Sequence, residues 1–383
     1  MNELINADAV AGLRRHLTRA SPGSALDRLL GVETLLAGLD PDQAEALSLR
    51  ARTDLVSEAL LADLPDGYDG TAAVVRRALA DESFGGWVIW PVGETVTSRV
   101  LAASASRDGG SRSGSAADGD RFDDGLELLA ELTPRLTSEF SIRRLLEHDL
   151  ERALPRILAW TGSDDEHVRR LASEGTRSFL PWAIRVRALL AAPQATVPIL
   201  DALYRDESDY VRRSVANHLN DLSRQNAELV VEVAGRWLSA PDDNTAWVVR
   251  HALRTLVKKA HPGALGLLGF APVTVSVTPP VLESAAIALP GDLDFSFTLT
   301  NDGNTTERMA VDYVVHFMKS NGRQAEKVFK LTATTLTPGQ SVTLAKRHAL
   351  RQMTTRVHYA GLHSLELQVN GQRLTRTDFE LTL

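Results

Sequence analysis

Between Glu139 and Lys259 the sequence repeats itself, and that repeat limits the possible folds more than any composition does. Asp165-Glu166-His167-Val168-Arg169-Arg170 returns as Ser208-Asp209-Tyr210-Val211-Arg212-Arg213, then as Thr245-Ala246-Trp247-Val248-Val249-Arg250. The matching valines stand 43 and 37 residues apart, and each copy follows an apolar stretch with an aromatic near its end: Trp160, Tyr204 or Trp237. A helix pair recurring at about 40 residues buries its apolar face by stacking on its neighbours, so an α-α solenoid of HEAT type is expected. Upstream, Leu13 to Leu17, Leu29 to Leu36 and Val74 to Leu79 keep apolar spacings of three and four, so the helical part extends back to the N-terminus. Residues 104–120, rich in Gly and Ser, read as a flexible loop inside it.

After Gly269 the period drops to two. Val273, Val275 and Val277 alternate with Ser and Thr, as do Phe295, Phe297 and Leu299. Asn321-Gly322 and Asn370-Gly371 sit between strand-like runs, where two-residue hairpins need positive φ; Leu365–Thr375 is the clearest such hairpin. The expected architecture is a mainly α chain: residues 1–268 form the solenoid domain and residues 271–383 an all-β immunoglobulin-like sandwich.

The 383 residues contain no cysteine, which excludes disulfides, thiolate nucleophiles and cysteine-bearing zinc sites. No secretory signal is visible, and the longest charge-free run, between Lys259 and Glu283, carries four prolines. A cytoplasmic, soluble monomer is therefore expected. The ten histidines form no ligand-spaced set with acids, and neither a phosphate loop nor a Gly-x-Ser-x-Gly elbow is present. Neither a metal nor a cofactor is expected.

Charge is unevenly spread. Residues 1–138 hold 13 Lys and Arg against 22 Asp and Glu, whereas residues 139–270 hold 18 against 17. The acidic total argues against a polyanionic partner, but the arrangement in the middle third argues the other way. Arg170, Glu174 and Arg177, then Arg213, Asn217 and Asp221, then Arg250, Arg254 and Lys258 each fall on one face of a helix. Stacked, these stripes give an arginine-rich surface that suits phosphate, although each arginine could equally belong to a structural ladder. Glu174 and Asp221 would repel phosphate. They imply either chemistry at a cationic centre or ion pairing along the helices.

The segments Phe122–Leu146, Arg169–Trp182 and Arg212–Asp221 resemble the AlkC branch of the HEAT-like-repeat DNA alkylation glycosylases, and the order of solenoid then sandwich matches that branch. The resemblance implies catalytic acids at Glu139, Glu174 and Asp221. It implies DNA-contacting arginines at Arg170 and Arg177, with an aromatic beside the lesion at Trp182. Without it, Glu139 reads as an acid in a helix's first turn and Trp182, like Trp87 and Trp90, as core. The implied activity is hydrolytic excision of cationic bases such as 3-methyladenine and 3-methylcytosine from double-stranded DNA, without full base flipping. Arg213, Asn217, Arg250, Arg254 and Lys258 would hold phosphates. Lys319, Arg323, Lys327 or Lys346-Arg347 of the sandwich would close over the duplex. A non-catalytic scaffold for a protein partner and a reader of distorted DNA are the alternatives.

Overall fold

The computed structural model describes residues 4–39, 47–105, 116–352 and 357–383. Helices fill the chain to Leu267 and strands the remainder. Side-chain caps set several helix starts: Asn6 accepts from the Ala9 amide, Ser48 from Ala51, Asp149 from Arg152 and Asp165 from His167. The helix Ile89–Ala105 ends before, and the helix Ala116–Leu132 begins after, residues 106–115, so the core of the expected Gly/Ser loop lies outside the described residues. None of the described helices is long and apolar enough to cross a membrane.

The repeat behaves as its spacing predicts. The helices Glu166–Glu174, Asp209–Leu222 and Thr245–Ala252 pack side by side, burying Val168's counterparts Val211 and Val248 completely. The paired arginines then divide their work. Arg169 turns back to the carbonyls of Ser163 and Asp164 and reaches the next repeat, where Asp206 accepts at 2.7 and 3.1 Å. Arg212 likewise donates to the carbonyls of Asp206 and Glu207. The first arginine of each pair is a structural tie, and its third-repeat counterpart, Val249, is buried and apolar.

Two helix stripes break. The helix Glu166–Glu174 stops before Arg177, because the Thr176 hydroxyl bonds back to the Ala172 carbonyl at 2.6 Å and Gly175 passes close to Ile142. Arg250 is separated from Arg254 and Lys258 by a turn at Leu253 (φ −80°, ψ −2°), which starts a new helix, Arg254–Lys258. Arg213, Asn217 and Asp221 do share one helix.

By packing, the chain divides into two compact units: residues 1–226 with 240–252, and residues 227–239 with 253–383. The change from helix to strand near residue 270 therefore falls inside the second unit, where the helices Ala227–Ser239, Arg254–Lys258 and Pro262–Leu267 pack with the strands.

Among the described residues the sandwich has nine strands: β1 Val275–Val277, β2 Val281–Leu282, β3 Ala286–Ala288, β4 Gly291–Asn301, β5 Glu307–Met318, β6 Gln324–Leu336, β7 Ser341–Leu350, β8 Gly361–Val369 and β9 Gln372–Thr382. One sheet joins β1, β2 and β7 to β4; the other runs β3-β9-β8-β5-β6, with β3 parallel to β9. Alternate residues from both sheets, Leu293, Phe295, Phe297 and Leu299 against Val311, Tyr313, Val315, Leu365 and Leu367, make the core. Asn370-Gly371 forms the expected two-residue turn, with positive φ at both residues (43° and 83°), whereas Asn321-Gly322 lies in the longer connection 319–323, where Gly322 (74°) but not Asn321 has positive φ.

Two outcomes follow. A Cβ at Gly371 would lie 2.7 Å from Leu265 and 2.9 Å from the Ala260 carbonyl oxygen, so Gly371→Ala is expected to lower stability by about 1–3 kcal/mol in urea unfolding. Arg169→Ala strands the buried Asp206 carboxylate and should cost about 3 kcal/mol, whereas Arg213→Ala, on an exposed pair with Asp209, should cost under about 1 kcal/mol. Equal losses would remove the structural role given to Arg169.

Candidate active site

Glu139 sits in a turn before the helix Ile142–His148, held from below by Ser138. The Ser138 hydroxyl donates to the Leu129 carbonyl at 2.7 Å, and its amide donates to Thr133 Oγ1. Thr137 Oγ1 donates to Glu139 Oε2 at 3.0 Å. Glu174 ends one helix and Asp221 lies next to the end of another, where the helix dipole disfavours a carboxylate. Opposing charge therefore has to hold both acids.

That charge comes from two arginines threaded between three acids. Arg170 Nη1 donates to Glu139 Oε2 at 2.6 Å and its Nη2 lies 3.5 Å from Glu174 Oε1. Arg177 Nη1 donates to the same Glu174 oxygen at 2.5 Å, and its Nε donates to Asp221 Oδ2 at 2.9 Å. Burial alone would lower the pKa of both guanidiniums. The Glu139 and Glu174 carboxylates beside Arg170, and Glu174 and Asp221 beside Arg177, raise them above the ordinary arginine value. Ser214 Oγ donates to Glu174 Oε2 at 2.6 Å. Glu139 Oε1 and Asp221 Oδ1 have no hydrogen-bond partner among the described residues. Two bases thread three acids in direct contact, and the buried Arg143 adds a further cation within Coulombic reach of Asp221 and Glu139.

The acids and arginines open into a concavity of 380 Å³ lined by Thr137, Glu139, Arg170, Glu174, Arg177 and Trp182, among others. Asp221, 3% exposed, stands behind Arg177 and outside that lining. Trp182 is 69% exposed with φ +62°, so it rims the concavity and is no core residue. Trp87, partly buried, packs on the core cluster of Trp90, Phe140 and Leu180 and also lines the concavity, while Trp90 is buried on Phe140 at 4.6 Å. Tyr210 joins the lining beneath Arg170, whose guanidinium lies 4.9 Å from the ring centre. Its place before the repeat's valine was visible in the sequence, but nothing there aimed it at Arg170.

The other expected phosphate-binding residues lie elsewhere. Arg213 pairs with Asp209 at 2.5 Å, Asn217 Oδ1 faces His251 Nε2 at 3.1 Å, and Arg250 is exposed. Arg254 and Lys258 belong to the second unit. There, Lys319 and Arg323 flank the β5–β6 turn, Lys327 lies over Phe329, and Lys346 and Arg347 lie on β7, with Arg347 paired to Asp294 at 2.8 Å. Among the described residues no group of three or more acids and histidines is placed to hold a metal.

Residues 136–256 match the family model of the DNA alkylation repair enzymes, and residues 276–383 that of the C-terminal Ig-like domain of the uncharacterised protein YhaZ. The chain is 30% identical to YhaZ of Bacillus subtilis (strain 168) over 382 residues, covering 100% of this chain and 99% of that protein. It is also similar to the solved structure of the Pseudomonas fluorescens alkylpurine DNA glycosylase AlkC bound to DNA containing an abasic site analog. That match has TM-score 0.77 and 34% identity, and covers 100% of this chain and 99% of the other. The chain belongs to the AlkC family of DNA alkylation repair enzymes. As an AlkC-family member it keeps its carboxylates in the segment that the repair-enzyme model matches.

Beneath Glu174 lies a fully buried histidine. His218 Nδ1 donates to the Ser173 carbonyl at 2.9 Å, and its Nε2 faces Thr196 Oγ1 at 3.1 Å. Burial, with repulsion from Arg177, pushes its pKa down to about 3. The unfolded chain gains a proton there below about pH 6.5 that the folded chain refuses until about pH 3, so stability falls on acidification through that window and returns as pH rises. Melting temperatures between pH 7 and pH 4 should drop more steeply for the native chain than for His218→Gln. Parallel curves would count against this account.

Proposed function

We propose that the protein is a monofunctional DNA glycosylase that hydrolyses the N-glycosidic bond of cationic N-alkylated bases, 3-methyladenine and 3-methylcytosine among them, in double-stranded DNA. The observation that carries this reading is the ordered chain of carboxylates at the base of an open concavity. An alkylated base that already carries positive charge leaves as a neutral molecule and needs no general acid. What remains is the sugar, which becomes an oxocarbenium-like cation as the bond breaks. Carboxylates fixed before the reaction begins stabilise that charge without reorganising.

The roles follow from the geometry. Glu139 and Glu174 line the concavity and face the sugar; the unpartnered Glu139 Oε1 accepts a proton from the attacking water. Asp221 acts through Arg177, fixing it against Glu174. Arg170 and Arg177 are committed to carboxylates here and serve first to position them. Trp182, Tyr210 and Trp87 rim the opening and face the lesion. An open concavity edged by an exposed tryptophan supports attack on a nucleotide left near the helix, not one swallowed by a deep pocket.

Single-turnover incubation with methylated duplex should release free 3-methyladenine. Glu174→Gln should slow that release by about tenfold or more while duplex affinity stays equal or rises, because a charge that repels phosphate is gone. Release at the native rate would overturn the assignment.

A further inference from the structure

Most arginines around the concavity are already answered by acids. Arg170 and Arg177, which line it, each form an ion pair at 2.9 Å or less, as do Arg169 and Arg213 on the neighbouring helix faces, and Arg143 is buried against three carbonyls. Arg185 and Arg224 differ. Both are exposed, and neither has a carboxylate partner among the described residues. Their guanidinium carbons lie 5.2 and 4.9 Å from the centre of the same Phe179 ring, which places two like charges within about 10 Å of each other. Arg185 spends one N–H on the Leu180 carbonyl at 3.0 Å. No carboxylate of the described residues neutralises either cation, so both are open to an anion.

Their position says which anion. Phe179 lies between Arg177 and Trp182 in the loop that rims the concavity. The Arg224 amide donates to the carbonyl of Asp221 at 3.1 Å, so Arg224 starts from the turn just beyond that acid. A strand whose sugar faced Glu139 and Glu174 would carry its neighbouring phosphodiesters past this edge.

We propose that Arg185 and Arg224, splayed from Phe179, form a phosphodiester clamp for the DNA strand that enters the concavity. The clamp rests on the glycosylase reading for its ligand, but its test does not depend on base release. Binding of the full chain to a duplex carrying an abasic-site analogue is titrated over a range of potassium chloride concentrations by fluorescence polarisation. Each neutralised phosphate contributes about 0.9 to the slope of log affinity against log salt. Arg185→Gln and Arg224→Gln should each lower that slope by about one, and the double variant by about two, for any duplex sequence. Arg185→Lys with Arg224→Lys should keep the native slope, which separates loss of charge from loss of fold. A double glutamine variant with the native slope overturns the clamp, even if the native chain releases methylated bases. A lowered slope in a native chain that releases none leaves the clamp standing and removes the glycosylase.

Discussion

Everything at the concavity depends on the alternation of acid and base from Glu139 through Arg170, Glu174 and Arg177 to Asp221. Three carboxylates brought together would otherwise repel one another. Arg170 and Arg177 hold them in place by direct contact, and the buried Arg143 adds a cation within Coulombic reach of Asp221 and Glu139. With their arginines spent on carboxylates, these groups present fixed acidic oxygens to the concavity, which suits a sugar that becomes positive as it loses a cationic base.

The structure also gives different tasks to the arginines of the middle third. Arg169 and Arg212 tie turns, Arg170 and Arg177 fix carboxylates, and Arg185 and Arg224 stand uncompensated on Phe179. Neighbours in sequence thus serve different masters: in Arg169-Arg170 the first faces its own loop and the second the concavity.

Much of this was legible from residues alone. The recurring valines and the Asn-Gly pairs fixed the solenoid and the hairpins because both depend on local periodicity and local dihedral preference. The resemblance pointed to Glu139, Glu174 and Trp182, which line the concavity, and to Asp221, which stands behind Arg177. Spacing failed wherever a contact crosses between elements. It kept Arg177 on a helix that Gly175 and Thr176 end, and joined Arg250 to Arg254 across the turn at Leu253. Nothing in the order of residues announced that Arg185 and Arg224, 39 positions apart, would share Phe179.

The Asn370-Gly371 turn has a wider consequence. Asn370 donates to the carbonyls of Ala271 and Arg308, and Gly371 leaves no room for a side chain beside Leu265 and Ala260. The last helices and the sandwich are thereby welded into one block. Repeat arrays usually lengthen or shorten over evolutionary time by duplicating or losing a unit at an end. Here the downstream end is closed to such change, so any relative with more or fewer repeats would have to have gained or lost them upstream of the weld.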